Sequence, residues 1–119
     1  MNWLQNLVNL YQKELNITYE EIKEKCKIIE FYKRGFVAYR ISEDQATLYI
    51  DAIAVMPDEQ RKTVASQLLN QVKRLNKSIL VAARQENNAA NKMYLKSGFI
   101  DIGDVPGQND ERFTIYAYN

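Results

Sequence analysis

Residues 47–75 read TLYIDAIAV (47–55), MPDEQRKT (56–63) and VASQLLNQVKRL (64–75). The first segment is apolar, rich in β-branched residues and free of Gly and Pro, so it reads as a buried strand. The third sets Val64, Leu68, Leu69, Val72 and Leu75 at helical spacing, which predicts an amphipathic helix. A short polar turn led by Pro57 joins them. A strand that runs into a helix start leaves backbone N–H groups unbonded there. With the helix dipole, those groups attract anions, phosphate above all.

Upstream, Leu4, Leu7, Val8, Tyr11 and Leu15 recur at helical spacing, with Trp3 beside them, and predict one amphipathic helix over residues 2–15. Thr18 and Glu21 form a capping box that opens a second short helix, Tyr19 to about Lys25. KIIEFYK (27–33) and FVAYRIS (36–42) read as strands joined by a tight turn at Arg34-Gly35. A further turn at Glu43–Gln45 leads into the strand 47–55, so residues 27–55 form an antiparallel meander. Downstream, SILVAAR (78–84) is a strand. The unit 47–84 is long enough for a right-handed crossover that sets its two strands parallel. Residues 87–96 read as a helix with Ala90, Met93, Tyr94 and Leu95 turned inward and Gly98 as its C-terminal cap. Phe99–Gly103 begins a strand, residues 104–112 form a polar loop, and FTIYAY (113–118) closes the chain. Its Tyr116 and Tyr118 either fill the chain's own sheet or form an edge that pairs with a second copy. The molecule is therefore expected as a monomer or a homodimer.

A chain of 119 residues that is 46% hydrophobic fits one domain with a real core. A formal net charge of +1 gives no basis for nucleic-acid binding driven by bulk charge. The apolar runs are too short to cross a membrane, and the first residues lack the pattern of a signal peptide. Cys26 is the single cysteine, so the reducing cytoplasm is the expected compartment. The sequence has no histidine, which excludes a Ser-His-Asp triad, a Cys-His pair and the usual zinc sites. Acid–base chemistry then falls to Asp, Glu, Tyr, Lys, Cys or water.

Two local patterns stand out in this order of elements. One is Val55-x-Pro57-x-x-Gln60-x-x-Thr63-x-Ala65-x-x-Leu68-Leu69. The other is Asn87-x-x-Ala90-x-x-x-Tyr94-x-x-x-Gly98-Phe99. Together they resemble the acyl-CoA-binding core of the GCN5-related N-acetyltransferases (GNAT). The resemblance implies a single α/β domain over residues 1–119. It implies a central mixed, mostly antiparallel sheet flanked by helices, and a helix expected almost from Met1 leads to the expectation that the opening strand is missing.

The resemblance further implies transfer of an acetyl group from acetyl-CoA to a primary amine of a small molecule or a protein. The turn Gln60, Arg61, Lys62, Thr63, Val64 and Ala65 would face the pyrophosphate. The backbone of Ile53 and Val55 would bond the pantetheine arm where the parallel strands splay. Asn87 matches a polar residue that often bonds that arm, and Tyr94 a tyrosine that returns a proton to the thiolate. The family often places a Glu or Asp base on the strand before the phosphate turn, where Asp51 stands. Asp51 alternates with Tyr49 and Ile53, which puts all three on one face. Inside an apolar strand its carboxylate needs a partner, so it is either the base or a structural residue bonded to a neighbouring element. Glu30 and Glu43 are lesser candidates, and Cys26 has no accompanying base. The phosphate turn departs from the family, with Thr63 and Arg61 at usual glycine positions. The Thr63 side chain either crowds the pyrophosphate or donates a hydrogen bond to it. The alternative to an enzyme is a domain that binds acyl-CoA, or a protein partner, without turnover.

Overall fold

The computed structural model describes residues 2–60 and 63–119. Helix α1 (Trp3–Leu10) starts at Asn2, whose side chain accepts from the Gln5 amide. The expected single helix to Leu15 breaks at Tyr11, and α2 (Gln12–Leu15) follows. Helix α3 (Tyr19–Lys25) carries the full capping box, with Thr18 accepting from the Glu21 amide while Glu21 accepts from the Thr18 amide.

Six strands then form one sheet in the order β1-β2-β3-β4-β6-β5. They are β1 (Lys27–Phe31), β2 (Gly35–Ile41), β3 (Thr47–Val55), β4 (Ser78–Arg84), β5 (Ile100–Pro106) and β6 (Arg112–Tyr118). All neighbours are antiparallel except the central pair β3 and β4. Helix α4 (Val64–Lys73) makes the crossover between them, and α5 (Asn88–Lys96) joins β4 to β5. Among the described residues, no helix is long and apolar enough to cross a membrane.

The two faces of the sheet are covered by different helices. Val64, Leu68, Leu69 and Val72 of α4, with Tyr94 of α5, bury Val37, Tyr39, Leu48, Ile50, Ile79 and Val81. Leu4, Leu7, Val8 and Ile22 of α1 and α3 bury Phe36, Ala38, Ala52 and Ala54 on the other side. Leu75 lies beyond the end of α4 and Leu95 faces outward, so both are exposed against expectation.

Three elements differ from the sequence reading. The turn between β1 and β2 lies at residues 32–34, with Lys33 at φ 59°, and Gly35 is the first residue of β2. Gly35 is needed for space, because a Cβ there would lie 2.9 Å from the Ala54 carbonyl oxygen and 3.1 Å from Val64 Cγ1. Next, β5 continues through Asp104, Val105 and Pro106, where a polar loop was expected. Pro106 is tolerated because β5 is an edge strand. For the same reason the Tyr-rich strand β6 is internal, lying between β4 and β5 and filling the chain's own sheet. Finally, β3 holds a bulge. Ala38 pairs with Ala52 and Tyr39 with Ile50, so Asp51 is an extra residue. The bulge shifts the alternation. Leu48, Ile50, Ile53 and Val55 face α4, whereas Ala52 and Ala54 face α1 and α3. Asp51 and Ile53 therefore do not share a face.

Candidate active site

The bulge lies where β3 leaves β4. Their parallel pairing runs from Thr47 and Ser78 to Ile50 and Val81 and stops there. Beyond it, β3 stays paired with β2 up to Val55 and β4 with β6 up to Arg84. The facing edges, residues 51–55 and 82–84, have no strand partner. Two open strand edges inside a sheet can take an extended ligand as an added strand. They bound a cleft of about 580 Å³, within the usual size for a ligand site.

The cleft passes through the sheet. Ala65 of α4 and Ala90, Met93 and Tyr94 of α5 line one side, while Tyr11, Glu14, Leu15 and Asn16 line the other. Ile53, Val55, Gln60, Asn87 and Asp51 also line it. The structure thus brings together most of the sequence-predicted residues. Arg61 and Lys62 lie outside the described residues.

At the start of α4, Thr63 occupies the cap position with φ −91°, so no glycine conformation is required there. Its hydroxyl accepts from Gln67 Nε2 at 2.8 Å. Among the described residues no side chain caps this helix, and its first turn has no acidic residue. The first amides of any helix lack an acceptor within it, so Val64, Ala65 and Ser66 are the amides this start offers, and among the described residues no carboxylate of the first turn competes for them. The Val64 side chain is buried in the core, so its backbone alone is offered. The Gln60 amide is used by the Pro57 carbonyl at 3.4 Å, and its side chain donates to the Tyr11 hydroxyl. Gln60 thus ties the turn to the opposite wall of the cleft.

Asn87 caps α5, with Oδ1 accepting from the Ala90 amide at 3.2 Å. Asn91 Nδ2 donates to the carbonyls of Arg84 and Asn87, and its Oδ1 accepts from the Tyr116 hydroxyl. These bonds fix the start of α5 to the end of β4. Tyr94 is 3% exposed and packs between Phe99 and Tyr116, each at 5.5 Å between ring centroids. Its hydroxyl makes no hydrogen bond among the described residues. Burial, and secondarily Tyr116, raise its pKa above the ordinary tyrosine value. The hydroxyl is held in its neutral form.

Asp51 has the partners its position demands. Arg40 Nε donates to Oδ2 at 2.5 Å and Nη2 to Oδ1 at 2.9 Å, and the Cys26 thiol donates to Oδ2 at 3.3 Å. The carboxylate side chain is 16% exposed. Burial first, then the hydrogen bond to Asp51, pushes the Cys26 thiol up to about 12, so Cys26 stays protonated and unreactive. Glu30 and Glu43 lie away from the cleft lining.

Sequence reasoning missed several cleft residues. Tyr11 and Glu14 come from the broken first helix. Glu59 lines the cleft and pairs with Arg34 at 3.3 Å. Arg84, at the end of β4, pairs with Glu111 at 3.1 Å and stacks on Phe113, which also lines the cleft. A cation ending an apolar strand was the one visible signal for Arg84.

Residues 17–101 match the acetyltransferase (GNAT) domain, and the chain belongs to that family. No curated protein sequence matches it. Among solved structures it is similar to Arabidopsis thaliana Naa50 in complex with the bisubstrate analogue CoA-Ac-MVNAL. That match has a TM-score of 0.78 at 18% identity, covering 98% of this chain and 89% of that one. The ribosomal-protein-S18-alanine N-acetyltransferase from Escherichia coli gives a TM-score of 0.69 at 21% identity, covering 97% and 84%. The aminoglycoside 6'-N-acetyltransferase from Enterococcus faecium gives 0.73 at 14%, covering 98% and 88%. At these identities the likeness is one of fold.

Proposed function

We propose that this chain transfers an acetyl group from acetyl-CoA to a primary amine by direct attack. The observation that carries this reading is the cleft between β3 and β4, which crosses the sheet and has beside it a helix start that no described side chain caps. Structural neighbours crystallised with acetyl-CoA or coenzyme A share this fold, as do one in complex with the bisubstrate analogue CoA-Ac-MVNAL and one named as an aminoglycoside 6'-N-acetyltransferase. The acceptor of this chain is a small molecule or a peptide, and the cytoplasm is its proposed compartment.

Bound acetyl-CoA would supply an acyl carbon activated as a thioester. The Val64, Ala65 and Ser66 amides suit its pyrophosphate, with Thr63 turned away toward Gln67 and Arg61 and Lys62 contributing charge. The open β3 edge at Ile53 and Val55 suits the pantetheine amides. Asn87 keeps its Nδ2 as a donor to the same arm, because Oδ1 is occupied by the Ala90 amide. Tyr94 Oη holds a proton at the cleft wall and delivers it to the leaving sulfur.

Asp51 is the proposed base, acting through a lone pair on Oδ1 that its partners leave open. The paired Arg40 guanidinium holds the carboxylate in place at the cleft wall. Replacing Asp51 by Asn is expected to remove the acidic limb of the kcat/KM profile and lower the rate by roughly 10²-fold. An unchanged pH–rate profile in a folded variant would leave Asp51 a purely structural partner of Arg40.

Calorimetry with acetyl-CoA tests the function as a whole. A saturable, micromolar interaction is expected, and no heat at millimolar ligand would remove the reading. Binding without thiol release across a panel of amines would favour a domain that senses acyl-CoA.

A further inference from the structure

Arg84 is held in a way that the cleft alone does not explain. Ile79, Val81 and Ala83 of β4 are buried toward α4 and α5, so the strand's alternation turns Arg84 to the opposite face. That is the side lined by Tyr11 and Glu14, from which an acceptor would approach. The guanidinium lies over Phe113, 5.6 Å from the ring centroid, and its side chain is 15% exposed. Glu111 meets Nη1 at 3.1 Å. Nε is buried and has no hydrogen-bond partner among the described residues.

The contrast with Arg40 is informative. There, one carboxylate takes both Nε and Nη2 through its two oxygens, the fork geometry for which arginine is suited. The corresponding edge of Arg84 has no such partner, and a buried charged donor left unbonded is costly. Arg84 also stands between two spaces. It lines the cleft and, with Lys13 and Arg112, a second hollow of about 530 Å³ that Glu86, Asp110 and Glu111 complete.

We propose that Arg84 receives a carboxylate carried by the acceptor, so that the preferred acceptors are small amines bearing an acidic group, amino acids above all. This rests on the acetyl-transfer reading of the cleft. Glu111, in the segment between β5 and β6, is a placeholder. It holds the guanidinium through one nitrogen, and the guanidinium exchanges that contact for a two-oxygen contact by rotating toward the cleft, which exposes Nε. A polyamine has no group to offer this fork and places further cations beside it.

The test compares the twenty amino acids with their matched carboxamides and with spermidine. Thiol release measures turnover, and calorimetry measures binding to protein saturated with coenzyme A. The expected result is a roughly 10- to 100-fold advantage in KM and Kd for a free acid over its carboxamide. Arg84→Gln should erase that advantage. Glu111→Gln should enlarge it, because it removes the competing carboxylate, and it keeps the test decisive if the Arg84 variant fails to fold. A merely structural pair predicts changes of the same sign in both variants. Equal or better use of carboxamides or spermidine, or a Glu111→Gln variant that binds acids more weakly, overturns the proposal. If acetyl-CoA binds while acids show no advantage, this inference fails alone. If acetyl-CoA does not bind, the acetyl-transfer reading fails and takes this inference with it.

Discussion

Tyr94→Phe is expected to lower kcat for acetyl transfer by about 10²- to 10⁴-fold, with little change in the Kd for acetyl-CoA. The substitution removes a single oxygen. The ring keeps its contacts with Phe99 and Tyr116, and among the described residues the lost hydroxyl leaves no hydrogen-bond partner behind. Stability at neutral pH should therefore hold or rise slightly. The pH dependence has a definite sign. The folded pKa of Tyr94 is raised above the unfolded value of 10.0 by burial. The native protein therefore keeps this proton as pH rises through 10, and kcat should show no falling limb from Tyr94 below that pH. The linked stability is fully present below pH 10 and is lost as pH climbs toward the folded pKa. Alkaline melting curves should accordingly differ, with wild type losing stability more steeply above pH 10 than the Phe variant. A kcat within two-fold of wild type across the pH range would remove Tyr94 as the proton donor.

Gly35→Ala should cost about 2 kcal/mol and lower Tm by roughly 8 °C. The added methyl meets the Ala54 carbonyl at 2.9 Å, Val64 Cγ1 at 3.1 Å and Leu68 Cδ1 at 3.4 Å. The nearest of these is backbone and cannot rotate away. Either β2 and β3 separate or α4 lifts. Val64 is the first residue of α4, so a lift also displaces the amides proposed to hold pyrophosphate. Acetyl-CoA affinity should fall with stability, and calorimetry on the folded variant at low temperature separates the two effects. A Tm within 1 °C of wild type would show that the three elements have slack which the packing here denies.

Much of this was legible before any coordinates. The strand 47–55, the strand 78–84 and the capping box at Thr18 stand where their patterns placed them. The helix that Asn87 opens and that carries Tyr94 was readable from spacing. Other features were not. Gly35 looked like a turn residue because glycine is common in turns, yet it is required by the approach of α4, which is distant in sequence. Thr63 stands at a usual glycine position, where its side chain was expected either to crowd the pyrophosphate or to donate to it; its negative φ and its bond to Gln67 could be read only from the fold. Asp51 looked aligned with Ile53, and only the pairing with β2 reveals the extra residue that separates them. Arg40 and Cys26, the partners of Asp51, lie on other elements, and no local pattern names them.

The sequence by itself determined the order of elements, the central strand–turn–helix of residues 47–75, and the family, because periodicity and short motifs are properties of neighbouring residues. The tertiary structure alone decided how β3 parts from β4, which face each side chain of β3 occupies after the bulge, and where Arg84 and Glu111 meet. Those outcomes depend on register between strands and on packing between elements far apart in the chain, where a shift of one residue turns a side chain from one face of the sheet to the other.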